Sequence, residues 1–309
     1  MKKVFVFLLV VLFFCDVSFA EQTASPEVTA KGYKPVSSMT PEAKHVGQKN
    51  SDLNSSLFGN AGFDFSEYPR KDGVNYLQVV HDAVLNKPVL RFDIHITPLV
   101  DGDGAKTDRQ RNELKTTHTN RTWRDLVNGQ ESKWQVLEWK VKVPGDFQPL
   151  NNFCHIHQIK AQDGPANGSP IITHTLRANA DGSNKRLQVE HNAEGGGRKF
   201  GTKSIPWDEF ADEWLQITQE MHFRHDGFFA VKITRIRDGK VLLDFKEEGV
   251  GLYRRQATVI RSKYGIYRSL GGSLTSPNRL LKNESIFMGD FMIYEKNAAP
   301  NPVGIVMME

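Results

Sequence analysis

Cysteine is scarce in this chain: two in 309 residues, Cys15 and Cys154. Cys15 falls inside a stretch that reads as an export signal, so the mature protein keeps one thiol and can form no internal disulfide. Disulfide scaffolds, zinc ribbons and iron–sulfur sites are thereby excluded. Long apolar runs are equally scarce. Residues 4–14 form one, but Lys2 and Lys3 precede it and Val17, Ser18, Phe19 and Ala20 follow it as a cleavage site. That pattern marks residues 1–20 as a signal peptide, not a membrane span. Phe14 is bulky where a lipoprotein signal wants a small residue, so a lipid anchor on Cys15 is not expected. No later segment approaches the ~18 apolar residues of a spanning helix. An excess of charge is missing too: without the signal, 38 basic and 35 acidic residues leave a net +3. A nucleic-acid partner has no footing there. The expectation is a secreted or periplasmic, soluble monomer.

Helical periodicity is weak, with credible turns only near 76–83 and 207–213. Period-two alternation is abundant instead, at 90–96 and at 134–143, where Pro144 stops it. Residues 228–236 and 241–245 flank Asp238-Gly239, a preferred hairpin turn. Further strands fit 170–177, 186–191, 214–223, 258–267 and 285–294. Ten or more short strands separated by Gly, Asn and Asp turns predict an all-β fold, a β-sandwich jelly roll with a concave groove. Residues 21–57, rich in Ser, Thr, Pro, Lys and Asn, read as a linker or an arm lying on the fold. Residues 58–297 read as the single jelly-roll domain and 298–309 as a tail.

Three of the strands carry unusual polar faces. In Arg111-Asn112-Glu113-Leu114-Lys115, alternation puts Arg111, Glu113 and Lys115 on one side. Residues 153–160 bear His155, His157, Gln158 and Lys160. The two histidines share a side and Gln158 and Lys160 the other, unless a bulge intervenes. A metal on His155 and His157 would need a third ligand, for which His174 and His191 stand at no diagnostic spacing, so no metal and no cofactor is expected. In Lys263-Tyr264-Gly265-Ile266-Tyr267, the lysine, the glycine and the second tyrosine share a side, with Tyr264 opposite as packing. Residues 101–108, with Asp101, Asp103 and Asp108, lack the late glutamate of a helical calcium loop and read as an Asp/Gly turn between strands.

Taken in order, the three strands resemble the jelly-roll polysaccharide lyases, the alginate lyases in particular, with glucuronan lyases as relatives. Those enzymes carry an Arg-x-Glu-Leu-Arg strand, a Gln-Ile-His strand and a Lys-x-Gly-x-Tyr strand. Here Lys115 replaces the last Arg of the first motif, and Lys160 replaces the His of the second, as Gln158-Ile159-Lys160. The third motif is intact. The resemblance implies β-elimination in a uronate-containing, glucuronan- or alginate-like polymer, with no hydrolytic water and no obligatory metal. The C5 proton next to an ionised carboxylate is weakly acidic, so cations and donors must hold the charge that develops. Arg111, Gln158 and one of His155 and His157 would surround that carboxylate, with Lys160 the choice if the strand is regular. Tyr267 would be the acid, sharing base duty, if a cation such as Lys263 or Arg268 depresses its ordinary value of roughly 10. Gly265 would leave room for the sugar ring. Glu113, Lys115, Lys160, Arg177, Lys263 and Arg268 would bind the anionic polysaccharide, in a groove made basic by cations drawn from Lys185, Arg186, Arg198, Arg254, Arg255 and Arg261.

Two other functions compete. A non-catalytic carbohydrate-binding jelly roll would keep the groove and need no acid or base. A glycoside hydrolase of this fold would need a carboxylate pair, and no strand carries the closely spaced acidic cluster.

Overall fold

The computed structural model describes residues 23–50, 52–65, 73–97 and 99–296. Residues 1–20, read as a signal peptide, and 298–309, read as a tail, lie outside them. In chain order, α1 (Pro26–Ala30) and β1 (Tyr33–Met39) precede β2 (Phe63–Asp64), β3 (Leu77–Asp82), β4 (Lys87–Ile94), β5 (Gly102–Asp103) and β6 (Lys106–Thr116). Helix α2 (Arg121–Val127) leads to β7 (Trp134–Lys142), β8 (Cys154–Ala161), β9 (Ile172–Arg177), β10 (Arg186–His191) and β11 (Lys203–Pro206). Then follow β12 (Trp214–His222), β13 (Gly227–Arg235), β14 (Val241–Val250), β15 (Ile260–Ser269) and β16 (Glu284–Lys296).

These strands make two antiparallel sheets. One runs β14–β13–β12–β7–β16–β4–β3, with β1 also on β16; the other runs β11–β10–β9–β8–β15–β6–β2, with β5 on β6. Each strand turns alternate apolar residues inward, as in β13, where Phe229, Val231 and Ile233 are buried while Phe228, Ala230 and Lys232 are partly exposed. The inner faces share one core that includes Leu90, Phe92, Trp139, Ile217, Tyr264, Ile266 and Phe291. Each such side chain contributes about 1.5–3 kcal/mol by leaving water. The arrangement is a β-sandwich jelly roll. Among the described residues, no helix is long and apolar enough to cross a membrane.

One local expectation is revised, and one helix is new. Residues 76–83, read as a helical turn, form β3, with Leu77 and Val79 buried and Gln78 and Val80 half-buried. Period two therefore governs this segment, and Asp82 accepts from the Val84 and Leu85 amides in the turn to β4. A helix not anticipated, α2, starts where the Asn120 side chain accepts from the Thr122 amide, a side-chain N-cap. Residues 33–39 pair with β16, and Val28 and Tyr33 bury against Val136, Met292 and Tyr294 in a cluster separate from the main core.

Candidate active site

The three polar strands are neighbours in the second sheet, in the order β8–β15–β6. On β6, alternation sends Asn112 and Leu114 inward and Arg109, Arg111, Glu113 and Lys115 to the outer face. The β6–β15 register sets Tyr267 against Arg111, Gly265 against Glu113 and Lys263 against Lys115. On the other flank of β15, His155 faces Tyr267, Gln158 faces Lys263 and Lys160 faces Arg261. This face is crowded rather than open: Glu113 and Gln158 are 1% exposed, His155 and Tyr267 8%.

A bulge decides between the two histidines. The β8–β9 register slips between His155 and His157, so Ile156 and His157 both turn into the core. His155 therefore shares the outer face with Gln158 and Lys160. The His157 ring packs 4.4 Å from Trp139 and 4.7 Å from Tyr264. Its Nδ1–H donates to the Lys263 carbonyl at 3.0 Å. His174 Nε2–H donates to Gln219 Oε1 at 2.9 Å, and the Gln219 amide lies 3.5 Å from His157 Nε2. This buried relay needs both rings neutral, and burial pushes the His174 imidazole down to about 4. His157 is thus a core residue, not a groove residue.

Tyr267 sits between two guanidinium groups. Arg109 Nη1 donates to its phenol oxygen at 2.8 Å, and the Arg111 guanidinium lies over its ring, 4.2 Å from the centroid. Phe153 and His155 flank it at 5.0 and 5.9 Å between centroids. Arg111 Nη2 donates to Asp103 at 2.9 Å, and its Nε, 3.5 Å from Glu113 Oε2, has no hydrogen-bond partner. Burial alone would lower the Arg111 guanidinium, but Glu113 and Asp103 outweigh it and keep it charged. Burial, with Arg177 and Arg111 adding to it, pushes the His155 imidazole down to about 3. The ring is neutral, and its Nδ1 is unpartnered. At rest it carries no charge, so it offers a proton-accepting nitrogen or one N–H and no standing positive charge.

Gln158 Nε2 donates to Glu113 Oε1 diagonally across β15, with Gln158 opposite Lys263 and Glu113 opposite Gly265. Space for a ligand is not why glycine stands there. Its φ is +132°, and a Cβ would lie 2.2 Å from the Asn112 carbonyl and 2.9 Å from the Phe92 ring. The neighbouring backbone and the core require it. Four residues from Tyr267, about 13 Å along the strand, Lys263 is 7% exposed. Its ammonium has no hydrogen-bond or ion-pair partner among the described residues. Burial pushes it down to about 7, with Arg111, Lys115 and Lys160 adding to the effect against Glu113.

The remaining expected site residues divide. Arg177 lies on β9 beyond Thr175, which faces His155; it bonds the Asn151 carbonyl and approaches Glu190 at 3.5 Å. Lys160 is pushed down to about 8, chiefly by burial. It donates to the Asn167 and Gly168 carbonyls of the next loop, about 20 Å along β15 from Tyr267. Arg268 does not line this face at all. As the neighbour of Tyr267 in a regular strand it points inward, where it is 1% exposed and pairs with Glu284 at 2.7 Å. Several of the other basic candidates are engaged elsewhere: Lys185 bonds the Gly145 and Phe147 carbonyls, Arg255 pairs with Glu194, and Arg261 with Asp64. Among the described residues, no group of three or more His, Cys, Asp or Glu side chains is placed to hold a metal.

Arg109 is the residue that sequence reasoning missed. It stands two before Arg111, so the same alternation marks its face; the motif was read from Arg111 onward. The 101–108 turn was likewise undervalued. It folds β5 back on β6, where Asp103 and Asp108 hold Arg111 and Arg109.

No protein-family model matches the chain, and no curated protein matches its sequence. Solved structures do match. The endo-beta-1,4-glucuronan lyase of the fungus Trichoderma reesei superposes with a TM-score of 0.50 at 15% identity, over 77% of this chain and 98% of that one. The marine PL-14 alginate lyase of Aplysia kurodai gives 0.49 at 13% identity, over 84% and 98%. The chain has the β-sandwich jelly-roll fold of polysaccharide lyases, as the strand pattern and the three motifs implied.

Proposed function

We propose that the chain is an exported polysaccharide lyase that cleaves a uronate-containing polymer by β-elimination on the outer face of the second sheet. The observation that carries this reading is the meeting of Tyr267 and His155 on adjacent strands, with Arg109 and Arg111 around the phenol. In the reaction, the C5–H bond breaks, its electrons form the C4–C5 double bond, and the C4–O bond breaks as the leaving oxygen takes a proton. Tyr267 gives that proton. Arg109, already donating to the phenol oxygen, holds the charge left there. His155, neutral, is the acceptor for the C5 proton, with Tyr267 able to share that duty. The Arg111 Nε–H, which has no hydrogen-bond partner among the described residues, and the Gln158 N–H not given to Glu113 would meet the carboxylate, whose charge grows in the transition state. Lys263 and Lys115 lie farther along the face, where neighbouring anionic units of the polymer would run. The fungal neighbour's glucuronan substrate favours a glucuronate-containing chain among the candidates.

The test is incubation with glucuronan, alginate, ulvan and heparin-like chains while following the ultraviolet absorbance of the unsaturated product. Absorbance growth on one of them is expected. Polymer that binds and is not cut would support a carbohydrate-binding module in place of the enzyme.

A further inference from the structure

The hairpin joining β5 to β6, with Asp103 and Asp108 on its two arms, adjoins the catalytic face just before the first of the three motifs. Gly104 at φ +56° makes its tight turn, and Asp103 pairs in register with Lys106. Asp108 grips Arg109 with both oxygens, at 2.7 Å to Nε and 2.7 Å to Nη2. That two-point grip leaves Nη1 as the nitrogen that reaches the Tyr267 oxygen. A planar guanidinium held at two points on one edge presents its third nitrogen in a fixed direction. The loop after β15 ties the hairpin down, since the Leu270 and Leu274 amides donate to the Asp108 and Thr107 carbonyls. Asp103 grips Arg111 from the same hairpin. Tyr267 is therefore addressed by two cations, each held by an aspartate of one short turn.

We infer that Asp108 and Arg109 are positioning residues for Tyr267: the aspartate orients the arginine, and the arginine fixes the phenol and holds the charge on it as its proton leaves. The inference rests on the proposed lyase reading for its catalytic consequence, but the contact itself can be tested without substrate. Arg109 and Asp108 have side chains 26% and 51% exposed, so their replacement should leave the fold intact.

The substrate-free arm is NMR of protein labelled at the tyrosine ring carbon that bears oxygen. The Tyr267 resonance is identified by its loss in Tyr267→Phe. Arg109→Met is expected to move that resonance and leave the other tyrosines in place, and Asp108→Asn to move it in the same direction by less. An unmoved Tyr267 resonance in folded Arg109→Met overturns the inference. The catalytic arm uses whichever polymer the wild type cuts. Arg109→Met should lower kcat about 10²-fold with KM little changed, Arg109→Lys should recover part of it, and in a Tyr267→Phe background Arg109→Met should add nothing. A raised KM at constant kcat, or losses that multiply in the double variant, would make Arg109 a direct polymer ligand and overturn the positioning role. If the wild type cuts none of the polymers, the lyase reading fails while the resonance still decides the contact.

Discussion

Two histidines two residues apart should fail in opposite ways when removed. His157 has no exposed surface. Its ring fills the space between Trp139, Tyr264 and His174, and its Nδ1–H satisfies the Lys263 carbonyl. His157→Ala would leave a cavity of a kind that costs about 2–5 kcal/mol. It would also strand a buried carbonyl and the Gln219 amide, at about 1–3 kcal/mol. A combined loss of about 3–8 kcal/mol would lower the melting temperature by roughly 6–30 °C. Turnover per folded molecule should survive below that temperature. His155→Ala should do the reverse: a modest change in stability and a turnover loss of about 10²–10⁴-fold, as for a general acid or base. The assay is urea denaturation beside initial rates for both variants. A stable His157→Ala that has lost turnover, or an unstable His155→Ala that keeps it, would refute the bulge as the device that sorts the two rings.

Stability should fall on mild acidification. The unfolded imidazole titrates near 6.5, whereas folded His155 and His174 are held down to about 3 and about 4. The unfolded chain therefore binds more protons below 6.5, and at about pH 5 each ring should cost about 2 kcal/mol; His174→Gln should flatten the slope, and a flat wild-type profile would contradict it. Polymer affinity should weaken as pH rises through about 7, where Lys263 loses its charge, and Lys263→Arg should hold affinity one unit above that value. Equal affinity one unit below and one unit above in the wild type would remove Lys263 from the polymer's path. Arg268→Met should cost about 3–5 kcal/mol by stranding Glu284, a carboxyl already pushed up to about 7 by burial, with part recovered by Glu284→Gln. Full stability with lost polymer binding would instead put Arg268 in the groove.

The fold was legible wherever alternation was long. The stretches around 134–143, 214–223 and 228–236 became β7, β12 and β13, and the three polar motifs became neighbours in one sheet. Parity alone could also have turned Arg268 inward, since it follows Tyr267, and could have added Arg109 to the face of Arg111. The slip at His155–His157 was not legible, because a bulge adds one residue to a strand through pairing with β9, a partner distant in sequence. The reason for Gly265 was hidden for the same cause: only the register shows that the Asn112 carbonyl occupies the place of a side chain. Residues 76–83 were misread because eight residues are too few to separate a helical turn from a strand whose partner, β4, decides the matter.

The most direct measurement is turnover and polymer affinity of Tyr267→Phe beside the wild type, on a polyuronate that the wild type cuts. The change removes one oxygen from a nearly buried ring and takes away the acceptor of Arg109. Unsaturated product should form with the wild type. Turnover should fall by about 10²–10⁴-fold or more in the variant, while binding survives because the phenol acts mainly in the transition state. Saturated fragments from the wild type, or a variant that retains more than about a tenth of wild-type turnover where a lost acid should leave about a hundredth or less, would contradict the account.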